Sequence, residues 1–388
     1  MAADGASAFS GNSWMSWLRL SDWPTPRRFH VRNDLSVVDL FSGCGGMTLG
    51  AWEASRHMGG RLNVRLAIDF SAQAIAVYRH NFELNSDIAI CDDVANVIDG
   101  VPGSYVSDGL RRIAKRIGEV DVLLAGPPCQ GHSNLNNHSR RNDPRNSLYM
   151  AAIRGVEVFA PKFVLIENVP AVVHDEGDVI TKASDYLRLL GYRVASTVVE
   201  VSTFGVAQRR RRHVTLASRY LTTGELLSLV EPQRLGVPVV RDAIGDLQDE
   251  ADVRLGAFYG LTRLSRKNIE RIRWLFERGA YDLPDSLRPA CHRDKMHSYR
   301  SMYGRMRWDL PAQTLTTGFG SMGQGRYVHP ARQRMLTCHE AARIQGFPDF
   351  FSFSCCTSVT ALREMIGNAV PPQFVASVVK GGLGMSWT

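Results

Sequence analysis

Ala125-Gly126-Pro127-Pro128-Cys129-Gln130-Gly131-His132-Ser133 directly follows the apolar run Val120-Asp121-Val122-Leu123-Leu124. A short run of this kind reads as a buried strand of an α/β sheet, and two prolines stop it before the cysteine. Cys129 is thereby placed at the carboxyl end of a central strand, the edge at which open α/β sheets bind ligands. A cysteine there is either an inert, half-buried thiol or a reactive one, and taken alone the two readings weigh about equally. Its company along the chain separates them.

The chain has 388 residues, enough for one large core or one core with a smaller lobe, and the second arrangement is expected. No apolar run approaches the ~20 residues of a membrane span, and no basic start with an apolar core marks a secretion signal. The seven cysteines, at 44, 91, 129, 291, 338, 355 and 356, form no Cys-x-x-Cys pair. That pattern suits a reducing, cytoplasmic setting, with neither a disulfide framework nor a bound metal. Basic residues exceed acidic ones, 46 against 38, for a formal charge of +8. Leu261 to Arg307 alone holds twelve Lys or Arg against five Asp or Glu, which favours a polyanionic partner.

Residues 1–33 are rich in Ser, Ala and Gly but carry Trp14, Trp17 and Trp23. They read as a mobile extension, with a docked segment as the alternative. The body opens with a strand over 36–40, then Phe41-Ser42-Gly43-Cys44-Gly45-Gly46 and a helical pattern from Met47 to His57. A glycine turn lets backbone approach a ligand and aims a helix N-terminus at it. Thr48 stands where Gly-x-Gly-x-x-Gly would have its third glycine, so the dinucleotide fingerprint is not met.

A second strand, 64–68, ends at Asp69-Phe70: a carboxylate for a ribose diol, or the cap of a helix over 71–81, beside an aromatic that can stack on a purine. A third, 88–90, ends in Cys91-Asp92-Asp93. Three successive strand ends suit an adenosine-bearing cofactor. The loop His132 to Asn146, with Arg140, Arg141 and Arg145, reads as a basic lid over the substrate. After a helix over 147–159, Glu167 ends the next strand; it is a cap, a salt-bridge partner or a group facing the substrate beside Cys129. A helix over 179–190 precedes two extended runs, 192–201 and 213–218. Between them lie Gln208 and Arg209 to Arg212, where strand alternation would send Arg210 and Arg212 to one face, Arg209 and Arg211 to the other.

In this order the segments resemble the DNA cytosine-5 methyltransferases. The likeness rests on Asp39-Leu40-Phe41-Ser42-Gly43-Cys44-Gly45-Gly46, Pro127-Pro128-Cys129-Gln130, Glu167-Asn168-Val169 and Gln208 to Arg212. It continues through Arg334 to Pro348 and closes with Gly367-Asn368-Ala369-Val370-Pro371-Pro372, covering nearly everything from Val37 onward. The resemblance implies a doubly wound, mostly parallel α/β sheet with a second, smaller target-recognition lobe. It implies S-adenosylmethionine as cofactor, at Phe41, Gly43, Gly45, Asp69, Phe70, Asp93 (Asp92 being the alternative), Pro128 and Asn368. It assigns catalysis to Cys129, Glu167 and Arg212, with Gln130, Ser133, Arg145, Arg210, Arg293 and Arg300 as DNA contacts.

The chemistry needs those residue types. Carbon-5 of cytosine is a poor nucleophile until a thiolate adds at carbon-6; a carboxyl at ring nitrogen 3 and a guanidinium at the ring carbonyl stabilise the charge that develops. The base must leave the duplex first. Double-stranded DNA is the implied partner, a cognate restriction endonuclease an optional one, and the enzyme is expected to be a monomer. The expected boundaries are an extension to 33, a catalytic domain over 34–220, the lobe over 221–357 and a returning segment over 358–388. Two residues depart from the family pattern: Ala207 stands for a common proline before Gln208, and His132 for a common aromatic after Gly131. Rival readings are a transfer RNA methyltransferase, a catalytically silent DNA-binding homologue and a dinucleotide-dependent oxidoreductase.

Overall fold

The structure is a computed structural model that describes residues 11–25, 34–128, 147–174, 177–232, 236–247, 256–293 and 302–384. In chain order the first half comprises α1 (Gly11–Leu18), β1 (Leu35–Leu40), α2 (Gly46–His57), β2 (Leu62–Asp69), α3 (Ala72–Phe82), β3 (Ala89–Cys91), α4 (Val94–Val97), α5 (Asp108–Ile117), β4 (Val122–Ala125), α6 (Ser147–Phe159) and β5 (Phe163–Asn168). Then follow α7 (Val179–Leu189), β6 (Arg193–Glu200), β7 (Gln208–Arg209), β8 (Arg211–Ser218), α8 (Thr223–Ser228), α9 (Val240–Ile244), α10 (Arg266–Glu277), α11 (Ala290–Arg293), β9 (Ala312–Gln313), α12 (Cys338–Gln345), α13 (Val359–Asn368) and α14 (Pro372–Gly384).

Seven strands form one sheet in the order β3-β2-β1-β4-β5-β8-β6. The five from β3 to β5 are mutually parallel, while β8 runs antiparallel to both β5 and β6. The strand order reverses between β1 and β4, so the crevice of a doubly wound sheet opens beyond their carboxyl ends. Every residue of β1, β4 and β5 is buried, as expected for parallel strands covered on both faces. One face buries Val38, Leu40, Leu123 and Ile166 under α6 and α7. The other buries Val37, Leu124, Leu165 and Leu216 under α14, with Phe374, Val375 and Val378. Each such side chain contributes about 1.5–3 kcal/mol. Helix α14 lies against α2 at glycine distance: a Cβ on Gly50 would meet the Pro372 carbonyl at 2.5 Å and Val375 Cβ at 2.6 Å. Of the residues after 358, α14 is thus buried against the large sheet, while Leu362, Met365 and Ile366 of α13 are buried in the second core.

Two expectations are corrected. Residues 11–25 are a docked segment, not a mobile leader: Trp14, Trp17 and Leu18 are buried, and Leu18 O accepts from the Asp349 backbone N–H at 3.0 Å. Residues 1–10 and 26–33 lie outside the described ones. The boundary at 221 also falls one helix early, since Leu226 and Val230 of α8 and its exit are buried with the sheet core. The second lobe has α9, α10, α12, long connections and the two-stranded sheet of β7 with β9. Its core is continuous with residues of α2 and α3, Leu49 and Val77 among them. Among the described residues no helix is long and apolar enough to cross a membrane.

Candidate active site

The glycine turn is shaped by backbone that few residues tolerate. Phe41 has φ 60°, Gly43 φ 53° and Gly45 φ 100°. A non-glycine residue with positive φ at the end of a buried strand is the kind of strain that accumulates at ligand sites. A Cβ on Gly45 would sit 2.6 Å from the Phe82 ring, so glycine is required there twice over. The turn is tied across the sheet: Ser42 N–H donates to Ile68 O at 3.0 Å and Gly43 N–H to Asp69 Oδ2 at 2.9 Å.

Asp69 Oδ1 accepts from Ser71 N–H at 2.9 Å, and burial raises its carboxyl above the usual range. Its visible work is to hold the turn and the start of α3, while each oxygen keeps a lone pair for a ligand. Phe70 beside it is 73% exposed, an unused ring face at the strand end. Asp93 caps α4 by accepting from Ala95 N–H at 2.9 Å, and Asp92 Oδ1 accepts from Asn96 Nδ2 at 2.9 Å. Asn368 is exposed at the last residue of α13.

Thr48 explains the missing third glycine. Its hydroxyl donates to Asp39 Oδ2 at 2.6 Å and lies 2.7 Å from Tyr78 OH, a buried chain linking β1, α2 and α3. Asp39 is fully buried, and desolvation pushes its carboxyl up to about 7. Asp39 Oδ1 has no hydrogen-bond partner among the described residues. This chain was not singled out from sequence as part of the site; the threonine itself was the only signal.

On the other side of the crevice, β4 ends at Ala125 and the described chain reaches Pro128. Cys129, Gln130, Ser133, Arg145 and Arg300 lie outside the described residues. What holds the turn before Cys129 is visible: Asn168 Nδ2 donates to Pro127 O at 3.3 Å, and Gly126 N–H donates to Leu40 O at 3.2 Å. Glu167, next to Asn168, is 7% exposed. Arg212 Nε stands 2.6 Å from Glu167 Oε1, with both side chains largely buried. The contact is charge against charge and not an aligned hydrogen bond; Oε1 has no donor among the described residues. A buried carboxylate and guanidinium so placed can each still bind a polar ring.

Arg210 is corrected as a DNA contact. It is 1% exposed and spends its guanidinium on backbone, Nη1 to Leu315 O at 2.9 Å and Nη2 to Gly367 O at 3.0 Å. Alternation itself holds across the break between β7 and β8, with Arg209 and Arg211 exposed and Arg210 and Arg212 turned inward; the DNA role came from the family resemblance. Gln208 completes the knot: its Oε1 accepts from Leu315 N–H at 2.8 Å and its Nε2 donates to Gln345 Oε1 at 2.6 Å.

Much of the basic surplus in the lobe is structural as well. Arg271 lies over the Tyr303 ring, Arg305 over Phe276 and Tyr281, and Arg288 donates to Leu283 O. Arg293, by contrast, is exposed, as are Lys267, Arg273 and Arg278 of α10 and its exit. Among the described residues no group of three His, Cys, Asp or Glu side chains could hold a metal ion.

A mostly parallel, doubly wound α/β sheet thus carries a strained glycine turn on one side of its crevice and a carboxylate paired with arginine on the other. The model of C-5 cytosine-specific DNA methylases matches residues 35–381. The Type II methyltransferase M1.BsuMI of Bacillus subtilis is 42% identical over 356 residues, covering 92% of this chain and 82% of the relative. M1.HphI of Haemophilus parahaemolyticus, also a Type II methyltransferase, is 30% identical over 91% of this chain and 87% of its own length. Among solved structures, a putative DNA modification methyltransferase encoded within a prophage (E. coli) superimposes with a TM-score of 0.63 at 25% identity, covering 91% of this chain and all of that one. The chain belongs to the C-5 cytosine-specific DNA methylase family, as a DNA (cytosine-5) methyltransferase.

Proposed function

We propose that this enzyme methylates carbon-5 of a cytosine turned out of double-stranded DNA, through a transient bond to Cys129, with S-adenosylmethionine as donor. The observation that carries the reading is the buried Glu167–Arg212 pair at the end of β5, beside the Pro127-Pro128 turn that delivers Cys129. When bound, the cofactor supplies an electrophilic methyl group on a sulfonium. The glycine turn with Phe41, Gly43 and Gly45, the exposed Phe70, and the carboxylates of Asp69 and Asp93 would meet its methionine, adenine and ribose parts, with Pro128 and Asn368 assigned to the same site.

The Cys129 thiolate adds to carbon-6, and electron density moves toward ring nitrogen 3 and carbon-5. Glu167, taking up a proton as the base enters, hands it to nitrogen 3, and Arg212 donates to the ring carbonyl; both offset the charge that would otherwise collect on the ring. Carbon-5 would then take the methyl group, the sulfonium leaving as a neutral thioether. Loss of the carbon-5 proton to a base expels the thiolate and restores the aromatic ring. Asn168 acts one step back, fixing the Pro127 carbonyl and with it the entry of the loop that carries the nucleophile. The Type II relatives further suggest a place in a restriction-modification system.

Cys129→Ser is expected to keep DNA and cofactor binding and to lose methyl transfer, read as transfer of labelled methyl to DNA. Wild-type enzyme should be trapped covalently on 5-fluorocytosine DNA, and the Ser variant should not. Normal turnover by Cys129→Ser would eliminate the assigned nucleophile. Bisulfite sequencing of DNA from a host expressing the chain gives the target in the same experiment.

A further inference from the structure

The N-terminal segment lies before the part of the chain matched by the family model, yet it reaches two places that the reaction uses. At one end Trp14, 1% exposed, covers Gly205, the residue at φ 84° that closes the short helix Val201–Phe204. The approach is close enough that a Cβ on Gly205 would stand 2.5 Å from the indole. Gly205 is the tip of a closed loop whose ends are clamped by Val201 N–H donating to Arg210 O at 2.9 Å. From that loop the chain runs straight through Gln208 and Arg210 into Arg212. At the other end Trp23 packs on Trp52 of α2 (centroids 4.7 Å), Phe82 of α3 (6.0 Å) and Phe350 (4.6 Å). Phe82 is the ring that touches Gly45 of the glycine turn.

Between the two tryptophans the segment is pinned to the lobe. Arg19 Nε pairs with Asp246 at 3.1 Å and its Nη2 donates to Asp242 O at 3.0 Å, at α9 and its exit. Trp17 stands edge-on to both Trp14 (5.3 Å) and Phe350 (5.6 Å). Ten residues therefore bridge the turn that feeds the catalytic arginine, the lobe, and the helices that back the cofactor turn.

We propose that residues 14–23 are a brace for the two halves of the active site: Trp14 is a positioning residue for Arg212, through Gly205, and Trp23 a positioning residue for the glycine turn, through Phe82 and Trp52. This rests on the proposed roles of Arg212 and of the glycine turn. The two ends act on different steps. Trp14 governs groups that meet the reacting ring; Trp23 governs a surface that meets the cofactor. A residue that merely adds stability would lower the melting temperature and leave both steps alone.

The test uses the full chain, S-adenosylmethionine and genomic DNA from a host without cytosine methylation, well below the melting temperature. Trp14→Ala should lower kcat about tenfold with KM for S-adenosylmethionine within about twofold of wild type, since small displacements of positioning groups cost this much or more. Trp14→Phe, which keeps a ring over Gly205, should recover most of the loss. Trp23→Ala should raise KM for S-adenosylmethionine several-fold and leave kcat at saturation nearly unchanged. Lowered melting temperatures with kinetics unaltered would overturn the brace, as would the same parameter changing in both variants. Failure of both Trp14→Ala and Trp14→Leu to fold would also overturn it, by making the segment ordinary core. Wild-type inactivity would count against the proposed function instead, and the brace would then be read from the dissociation constant of S-adenosylmethionine in Trp23→Ala.

Discussion

The parallel and antiparallel halves of the sheet do different work with different means. From β3 to β4 the strands run one way, and what matters is collected at their ends: the turn after β1, Asp69 after β2, Asp93 after β3. Beyond β5 the direction reverses, so β8 begins where β5 ends, and Arg212 near the start of one strand meets Glu167 near the end of the other. The parallel half thus makes a surface from backbone, suited to a ligand that is always the same. The antiparallel half brings two charged side chains face to face, one from the end of β5 and one from the start of β8.

The comparison is broken most directly at Arg212. Arg212→Ala should lower kcat about 10²–10³-fold, the usual cost of one donor to developing charge, with cofactor affinity unchanged because among the described residues its polar contacts are Glu167 and the Arg211 carbonyl. Steady-state methyl transfer at saturating cofactor checks this; equal losses in kcat and cofactor affinity would mean that the halves are not separable. On the parallel side, Gly45→Ala places a methyl 2.6 Å from Phe82 at a φ of 100°. Strain of about 1–3 kcal/mol should weaken cofactor binding about tenfold or more, read by calorimetry, with a smaller effect on kcat at saturation.

The smallest effect sharpens the contrast through pH. Burial pushes Asp39, in the parallel half, up to about 7 and His213, in the antiparallel half, down to about 4. Between the ordinary carboxylate range and about 7 the folded state holds the Asp39 proton that the unfolded state gives up, so this residue makes stability fall as pH rises. Between 6.5 and about 4 the unfolded state protonates His213 and the folded state does not, so this one makes stability fall as pH drops. Over the shared window the two slopes oppose, each at most about 1.4 kcal/mol per pH unit. Relative to wild type, Asp39→Asn should gain stability as pH rises toward 7, and His213→Gln should gain it as pH falls toward about 4. Denaturant unfolding at a series of pH values checks both signs; parallel shifts in the two variants would refute the assignment.

How far the sequence foretold this depends on the kind of force at each place. Strand ends and the glycine turn were legible because apolar runs and turn residues announce them locally; that Glu167 meets Arg212 was not, because it depends on how β8 pairs with β5. The docked N-terminus was not legible either: Trp14, Trp17 and Leu18 share one face of the short helix α1, but what Trp17 and Trp23 pack against, Phe350, lies more than 300 residues along the chain. The lobe's arginines were read as phosphate contacts because charge is counted easily, whereas Arg271 and Arg305 are stacked on rings that no spacing rule connects to them. Arg210 failed for a different reason: it was given to DNA on the family resemblance, although the alternation that turns Arg209 and Arg211 outward already turns it inward.

Leu315 has its amide taken by Gln208 and its carbonyl by Arg210, and Gln208 is in turn bonded to Gln345. Any attempt to give this enzyme a new target by grafting a lobe from a relative would have to treat Ala312 to Thr317 as property of the scaffold. A junction placed inside that stretch severs the recipient from its own arginine strand; junctions on the far side of it leave the graft free to vary.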